Sequence, residues 1–303
     1  SPAFAMIAML TGAVINIALD PLFIFVFKWG IAGAAWATVI GQVLSFVVCV
    51  VYFARPKTFR LTKRSFVPDK TITRVTLTIG GSTFITQISI VILSLVSNMV
   101  LAKYGEMSIY GPDIPISVFS IQTKVYTVIC NIVVGIVLGG QPIFGYNYGA
   151  GNLDRVRQAY KLVLKATLVI GFVAVLIFEL RPQIIINIFG SGNELYQEFA
   201  IRTFRIYLSL TMITGMVKTT SIFFQAIGKP KQAMLTSIVR DVLVFTPLAI
   251  ILPAVFENLE AGSGVNGILF AAPIADLAAL AVILGVTVPF FRKMKRQENE
   301  LKK

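Results

Sequence analysis

The chain has 303 residues, of which 56% are hydrophobic and 14% are charged. Soluble domains contain about 45 to 50% apolar residues, so this chain is far more apolar than a soluble protein. Uncharged runs such as 31–54 and 75–102 exceed the roughly 20 residues that a helix needs to cross a bilayer. The composition therefore predicts an integral membrane protein.

The composition also excludes several kinds of chemistry. Histidine is absent from the sequence, so the chain has no Ser-His-Asp triad, imidazole metal ligand or imidazole proton shuttle. Cys49 and Cys130 lie in separate apolar runs and are too few for a four-thiolate zinc site or a disulfide framework. The formal charge of +13 comes from basic clusters beside apolar spans, which is typical of membrane orientation signals. We therefore expect no enzyme activity, metal, cofactor or nucleic-acid partner.

Eight candidate membrane-spanning helices follow from the apolar runs, the charge clusters and the Pro and Gly breaks. In chain order they lie near residues 3–27, 31–53, 74–101, 116–141, 160–180, 199–226, 233–255 and 267–291. The expected fold class is all-α, a polytopic membrane protein. Because lipid-facing helices are apolar nearly all round, only their polar exceptions indicate which face points inward.

Basic residues are concentrated in every second connection between the spans. Lys and Arg cluster before span three, around the start of span five, before span seven and in the tail, at 55–74, 155–165, 229–231 and 292–303. The intervening connections carry only Lys28, Lys103 and Arg181. By the positive-inside rule, the basic clusters are cytoplasmic, and so is the C-terminus.

An internal repeat relates the two ends of the chain. Matched residues are Pro2, Ala5 and Met6 with Pro230, Ala233 and Met234, and Gly30, Gly33 and Ile40 with Gly264, Gly267 and Ile274. Duplicated halves are typical of secondary transporters. We therefore expect spans three to eight to form one six-helix half, spans one and two to end the other half, and about four helices to be absent before Ser1.

Five segments carry a resemblance to a known family. They read NIALDPLFIF at 16–25, GIAGAAWAT at 30–38, QPIFGYNYGAGN at 141–152, QAIGKP at 225–230 and PIAD at 273–276. Together they resemble the multidrug and toxic compound extrusion (MATE) transporters along the whole chain. Within that family they are most similar to the MepA-type branch, which has an Asn-x-x-x-Asp-Pro pattern in its fifth helix.

The resemblance implies a MATE-like two-lobe bundle of twelve helices, of which this chain contains the fifth to the twelfth. Residues 1–60 would end the N-terminal lobe, 61–70 would be a cytoplasmic linker, and 71–303 would form the C-terminal lobe with a basic tail. The implied activity is secondary active antiport in the bacterial inner (plasma) membrane, exporting hydrophobic, cationic drugs or toxic compounds in exchange for H⁺ or Na⁺. Its partners would be membrane lipids and small amphipathic substrates, and it would act as a monomer.

Asp20 and Asn16 are the candidate ion-coupling residues. Asp20 follows an uncharged run, and a carboxylate at that depth costs several kcal/mol unless it pairs, meets water or takes up a proton. Asn16 lies four residues earlier on the same helical face, where we expect its amide either to hydrogen-bond the carboxyl or to help coordinate a cation. Pro21 disturbs the helix beside them. Other branches of the family place acids in the spans that correspond to 74–101 and 199–226. The interiors of these spans contain no acid here, so Asp20 is the remaining candidate for the coupling residue. The alternative is an Asp-Pro pair that ends a helix near the headgroups.

Lys218 and several uncharged residues are candidates for the substrate cavity. A mid-span lysine needs a cavity or an acidic partner, and it would hold an anionic group or oppose a cationic substrate. Structural pairing is the alternative. The other candidates are Gln42, Gln87, Asn98, Asn131 and Met216. Amides in spans also commonly join helices to one another.

Four charged residues are assigned to gating or to structure. Arg240 and Asp241 are adjacent, hence about 100° apart on a helix, so we expect each to pair with another helix and not with its neighbour. Asp276 and Lys124 lie deep enough in their spans to need internal partners.

Other interpretations remain open on the sequence alone. A lipid-linked glycan flippase of related fold would need a strongly cationic cavity, for which Lys218 is the strongest candidate. A narrow-specificity metabolite exporter is a further alternative. The glycine-rich segment 139–151 lacks the Gly-Lys-Ser/Thr ending of a phosphate loop and instead predicts a helix end with positive φ at Gly149 and Gly151.

Overall fold

Within residues 2–54, 69–190 and 192–301, the computed structural model shows eleven α-helices, two π-helical segments and no strand. Seven of these described helical stretches are long and apolar enough to cross a membrane, and a bent helix pair forms an eighth candidate span. The all-α polytopic prediction is therefore confirmed. Of the predicted linker 61–70, residues 61–68 lie outside the described residues.

The chain divides into two compact units, Ser1–Asp69 and Lys70–Lys303. The first unit is a hairpin of α1 (Pro2–Pro21), the π-helical segment Leu22–Val26 and α2 (Gly30–Ala54). Because Pro21 has no N–H group, it cannot continue the normal hydrogen-bond ladder. After Pro21 the backbone hydrogen bonds join residues five apart and not four apart, as in a π-helix. The Phe27 amide, for example, donates to the Leu22 carbonyl at 2.9 Å. The predicted disturbance at Pro21 is therefore confirmed.

Small residues hold α1 and α2 together. The described buried residues of α2 are Gly33, Ala37 and Gly41, which recur every four residues and so share one helical face. A Cβ atom added to Gly41 would lie 2.7 Å from the carbonyl oxygen of Gly12 on α1. Backbones that approach this closely gain van der Waals contact, which drives helix association in lipid. The α1–α2 contact therefore depends on the absence of larger side chains.

The second unit contains the remaining helices, joined mostly by short turns. They are α3 (Lys70–Glu106), α4 (Asp113–Gly149), α5 (Leu153–Leu180), α6 (Pro182–Phe189), α7 (Glu194–Tyr207), α8 (Thr211–Ala226), α9 (Pro230–Ile238), α10 (Thr246–Leu259) and α11 (Gly264–Leu301). A π-helical segment, Val239–Phe245, joins α9 to α10. The core of the second unit includes Phe178, Phe204 and Phe245, each 1% exposed.

The α4 helix is longer than predicted. The predicted fourth span ends at residue 141, but the helix passes Pro142 and ends at Gly149. At its end the Asn152 amide donates to the Asn147 carbonyl at 2.9 Å, which closes the final turn. Gly151 has a φ of +74°, as predicted, whereas Gly149 is helical, so the prediction of positive φ at Gly149 was wrong.

The predicted sixth span, 199–226, is not one straight helix. The α7 and α8 helices meet at a bend of 46°. Ser209 and Thr211 donate side-chain hydrogen bonds at 2.8 Å to the carbonyls of Ile206 and Leu208. Such bonds compete with the backbone ladder and bend helices, which explains the break.

The two helix pairs that the repeat relates share a structural detail. Gly33 is the fourth residue of α2, and a Cβ there would lie 2.9 Å from the Phe23 backbone. Its counterpart Gly267 is the fourth residue of α11, and a Cβ there would lie 2.6 Å from the Leu252 backbone. Each glycine thus lets the first turn of a helix lie against the backbone of the preceding helical segment. This equivalence supports the internal repeat.

Candidate ion-coupling site and buried charge network

Within the hairpin, the Asn16 side chain links Asp20 of α1 to Thr38 of α2. The Asn16 side-chain amide donates to Asp20 Oδ1 at 3.3 Å and to Thr38 Oγ1 at 3.4 Å. Thr38 in turn donates to the Ala34 carbonyl at 2.9 Å, so its oxygen is free to accept from Asn16. Asn16 and Asp20 are both half-buried. The predicted hydrogen bond between them is confirmed.

A cavity of about 370 Å³ lies beside this group, within the first unit. Its polar lining residues are Asn16, Thr38, Gln42 and Ser45, and Met9 lies at its apolar part. The predicted residues Asn16 and Gln42 therefore share one cavity. Amide and hydroxyl oxygens are hard, neutral ligands of the kind that small cations accept. Asp20 lies one helical turn from Asn16 and supplies the nearby negative charge.

Asp20 has no cationic partner within 4 Å in the described part of the chain. A carboxylate in a membrane span without a paired cation is costly unless it meets water, a proton or a metal cation. The Asn16 amide donates its N–H group to Asp20, which leaves the Asn16 carbonyl oxygen available as an acceptor. The arrangement can therefore exchange a proton or a small cation at the Asp20 carboxylate. Because the Asn16 N–H group faces Asp20, the Asn16 oxygen becomes a ligand of the same cation only after the amide rotates.

A second polar group is buried inside the second unit and centres on Arg240. Arg240 Nε donates to Asp276 Oδ1 at 2.6 Å, and Arg240 Nη1 donates to Asp241 Oδ1 at 2.7 Å. Thr214 of α8 donates to the same Asp276 oxygen at 3.1 Å. The guanidinium also lies 5.9 Å from the ring centre of Tyr126 on α4. This network joins α4, α8, the π-helical segment and α11.

The prediction about the partners of Arg240 was partly correct. A partner on another helix is confirmed, because Arg240 pairs with Asp276 of α11. The expectation that Arg240 and Asp241 do not pair was wrong, since they form an ion pair. Both lie in the π-helical segment Val239–Phe245, where the wider turn changes the angle between neighbours. Helical spacing of 100° assumed an α-helix that does not exist there.

Lys218 and Lys124 differ in how far their side chains are buried. Lys218 is half-buried on α8, one turn beyond Thr214, and forms no ion pair with the described residues. Its predicted role in a cavity stays a prediction. Lys124 on α4 is exposed and also forms no ion pair in the described ranges, so the prediction of an internal partner was wrong. A long, flexible lysine reaches the protein surface where a short acid cannot.

The remaining candidates do not gather at one place. Gln87, Asn98 and Asn131 are exposed on α3 and α4, and their predicted role in a substrate cavity stays a prediction. Met216 packs against Val217, Ala279 and Ile283, a small apolar cluster between α8 and α11.

Sequence reasoning missed Thr38 and Ser45 as parts of the first site. Ser45 donates to the Ala8 carbonyl at 2.8 Å and lines the cavity with Thr38. Both hydroxyls are on α2, near the small residues that contact α1. The four-residue spacing of Gly33, Ala37 and Gly41 was the signal, because it indicates which face of α2 meets α1.

Comparison with known proteins connects this geometry to a family. The model of the MatE family matches residues 82–251. The multidrug export protein MepA of Staphylococcus saprophyticus is 26% identical over 288 residues, which are 94% of this chain and 60% of that protein. The MepA of Staphylococcus haemolyticus is 24% identical over 278 residues, 91% of this chain and 57% of that protein. The chain thus spans about 60% of the length of these curated relatives.

Comparison with solved structures also indicates a MATE-like fold. A MATE crystal structure in a bent conformation has a TM-score of 0.79 and 22% identity, covering 97% of this chain and 63% of that chain. A MOP superfamily transporter from Pyrococcus furiosus has a TM-score of 0.78 and 23% identity, covering 96% and 63%. The MATE-like fold and the resemblance to the MepA-type branch are therefore confirmed. Because the family model matches more than half of the sequence, this chain belongs to the MatE family of membrane transporters.

Proposed function

We propose that this protein acts in a secondary active antiporter that exports hydrophobic, cationic drugs or toxic compounds in exchange for H⁺ or Na⁺. One observation carries the proposal: Asp20 lies half-buried in a span, hydrogen-bonded by Asn16, beside a polar cavity and without a described cationic partner. Membership of the MatE family and relatives named multidrug export proteins support the same activity.

Coupling follows from competition for one negative charge. While Asp20 is ionised, it attracts a cationic substrate and accepts a charge-assisted hydrogen bond from Asn16. A proton or Na⁺ that arrives at the carboxylate cancels this charge, so the substrate loses its electrostatic attraction. An ion moving down its gradient thereby displaces a substrate that moves up its own gradient.

The hairpin offers a place for the accompanying movement. Asp20 directly precedes Pro21 and the π-helical segment Leu22–Val26, where the normal hydrogen-bond ladder is interrupted. An interrupted helix bends more easily than a continuous one. We propose that neutralisation of Asp20 changes this bend and contributes to alternating access between two six-helix lobes.

The substrate class follows from charge and shape. A cavity with an acid nearby and a methionine in its wall favours amphipathic cations over anions. Methionine adapts to different shapes, which suits polyspecific binding. We propose that the transporter works as a monomer, surrounded by membrane lipids, in the bacterial inner membrane, with the basic tail in the cytoplasm.

The coupling ion is tested with proteoliposomes that contain the transporter and a fluorescent cationic dye. A pH gradient and a Na⁺ gradient are imposed separately, and dye movement is recorded. We expect one gradient to drive dye export in the wild type and neither gradient to drive it in Asp20→Asn. Asp113→Asn is the matched control, because it removes an exposed acid at the start of α4 and should leave transport unchanged. If the wild type moves no cationic dye under either gradient, the proposal is wrong.

A further inference from the structure

Four exposed basic residues lie where the start of α5 meets the end of α11. They are Lys161, Lys165, Arg292 and Lys295, here called the basic patch. The ring centres of Tyr160 on α5 and Phe291 on α11 lie 5.0 Å apart, and Met294 belongs to the same buried cluster. The start of one span therefore packs on the end of the other, so the two spans run antiparallel.

Helix geometry turns the basic patch to one side of this contact. Lys161 lies about 100° of helix rotation beyond Tyr160. Arg292 lies the same angle beyond Phe291, and because the helices are antiparallel, both rotations lead to the same side of the contact. Phe290 is turned the opposite way and packs on a phenylalanine ring of α8, with 5.3 Å between the ring centres. Lys161 and Arg292 therefore face away from α8, in agreement with their exposure.

The basic patch lies at the depth of the lipid headgroups. Between Lys161 and Glu179 the α5 helix rises about 27 Å, close to the roughly 30 Å of the hydrocarbon core. Lys161 thus lies at one surface of this core, and Arg292, at nearly the same depth, directly follows the uncharged run 277–291. Lys165 is one turn deeper, by about 6 Å. Its side chain points toward the start of α5, and its flexible stem carries the ammonium group to the same surface.

Positive charge in the basic patch exceeds the negative charge around it. Its four residues form no ion pair within the described ranges. Asp154 of α5 already pairs with Arg157, and Glu298 of α11 is half-buried. Neighbouring like charges repel one another, so an anion that they share lowers their free energy.

Exposed apolar side chains continue from the basic patch toward the middle of the membrane. They include Val169 of α5 and both Leu284 and Val288 of α11. Val169 is four residues beyond Lys165 and so lies on the same face of α5. By helical rise, the three apolar residues are about 4 to 14 Å deeper than the aromatic contact. Cations at headgroup depth above apolar side chains match the two parts of a phospholipid.

We propose that the basic patch binds the phosphate group of an anionic phospholipid, whose acyl chains lie along the exposed apolar faces of α5 and α11. Clusters of basic residues beside a span attract anionic lipids, and each residue adds to the affinity. By the positive-inside rule, the bound lipid belongs to the cytoplasmic leaflet. The site depends on the membrane location of the chain and is independent of the proposed transport activity.

Native mass spectrometry of the delipidated protein tests the headgroup contact. Phosphatidylglycerol and phosphatidylcholine with identical acyl chains are titrated in turn, and bound lipid is counted. We expect the wild type to prefer phosphatidylglycerol. The double variant Lys161→Gln, Arg292→Gln should lower this affinity about 25-fold, from about fivefold for each basic residue. The matched control Lys103→Gln, Arg181→Gln removes one exposed lysine and one exposed arginine from the opposite ends of α3 and α5, and should leave the affinity unchanged.

Two further measurements separate charge and lipid from other causes. The exchange Lys161→Arg, Arg292→Lys keeps both charges and should keep the preference for phosphatidylglycerol, while circular dichroism checks that each variant is folded. Excess inorganic phosphate should leave the lipid bound, because it has no acyl chains to contact the apolar faces. Equal binding of the two lipids by the wild type, or equal affinities of the two glutamine double variants, would overturn the proposal. Displacement of the lipid by phosphate would overturn it as well, because the patch would then be a site for soluble anions.

Discussion

Removing Arg240 should destabilise the protein more than removing an acid that it contacts. In Arg240→Met, Asp241 and Asp276 lose the guanidinium that they share, and their side chains are only 8% and 2% exposed. Loss of one partner from a buried ion pair costs about 3–5 kcal/mol. Because this change leaves two buried carboxylates without a cation, we expect the free energy of unfolding to fall by about 4–5 kcal/mol.

Asp276→Asn should cost much less. Arg240 keeps its ion pair with Asp241 at 2.7 Å, and the new amide oxygen still accepts from Arg240 Nε and from Thr214. A charged hydrogen bond is then replaced by a neutral one, which costs about 1–2 kcal/mol. The two variants should therefore differ by about 2–4 kcal/mol.

Titration with SDS in mixed micelles, followed by circular dichroism, measures these free energies. Arg157→Met is the control, because Arg157 pairs with Asp154 at a partly exposed position and its loss should cost less than about 1 kcal/mol. The triple variant Arg240→Met, Asp241→Asn, Asp276→Asn should recover part of the loss, since no buried charge remains. If Arg240→Met costs no more than Asp276→Asn or than the control, the network does not stabilise the second unit as argued.

Three further predictions concern helix contacts and orientation. Gly41→Leu should separate α1 from α2, because a Cβ there would lie 2.7 Å from a backbone oxygen of α1; faster tryptic cleavage of the hairpin measures this, and unchanged cleavage would contradict it. Glu257→Ala should destabilise the start of α11 by about 1–2 kcal/mol, because its carboxylate accepts two backbone N–H groups at 2.9 and 3.0 Å; hydrogen exchange at those amides should accelerate. In a cysteine-free background, Glu260→Cys should react with an impermeant thiol reagent on intact cells and Lys293→Cys should not; the opposite pattern would reverse the proposed orientation.

The parts of the fold that depend on local chemistry could be predicted from the sequence. Long uncharged runs identify the spans because the bilayer admits only segments that satisfy their own backbone hydrogen bonds. The Asn16–Asp20 hydrogen bond follows from four-residue spacing on one helix, where the two side chains necessarily lie on the same face. The close approach at Gly33 and Gly267 also agrees with a repeat visible in the sequence.

Features that depend on irregular backbone could not be predicted in this way. The pairing of Arg240 with Asp241 requires the π-helical segment, and an α-helical spacing argument excludes it. The bend between α7 and α8 depends on which hydroxyl groups donate hydrogen bonds to backbone carbonyls. Hydropathy does not indicate which hydroxyl groups form such bonds. For Lys124, the sequence indicates its depth along a span, which predicts an internal partner, but the sequence does not indicate the direction of the side chain, which is exposed.

The most direct test of the central claim is dye accumulation in efflux-deficient cells that express wild type or Asp20→Asn at matched membrane levels. If Asp20 couples ion entry to export, the wild type should lower accumulation of a fluorescent cationic dye, and the variant should accumulate as much dye as cells without transporter. Asp113→Asn, expressed at the same level, should behave as the wild type. Export by Asp20→Asn at the wild-type rate would contradict the coupling role, and a wild type that leaves every dye untouched would contradict the proposed export of cationic drugs.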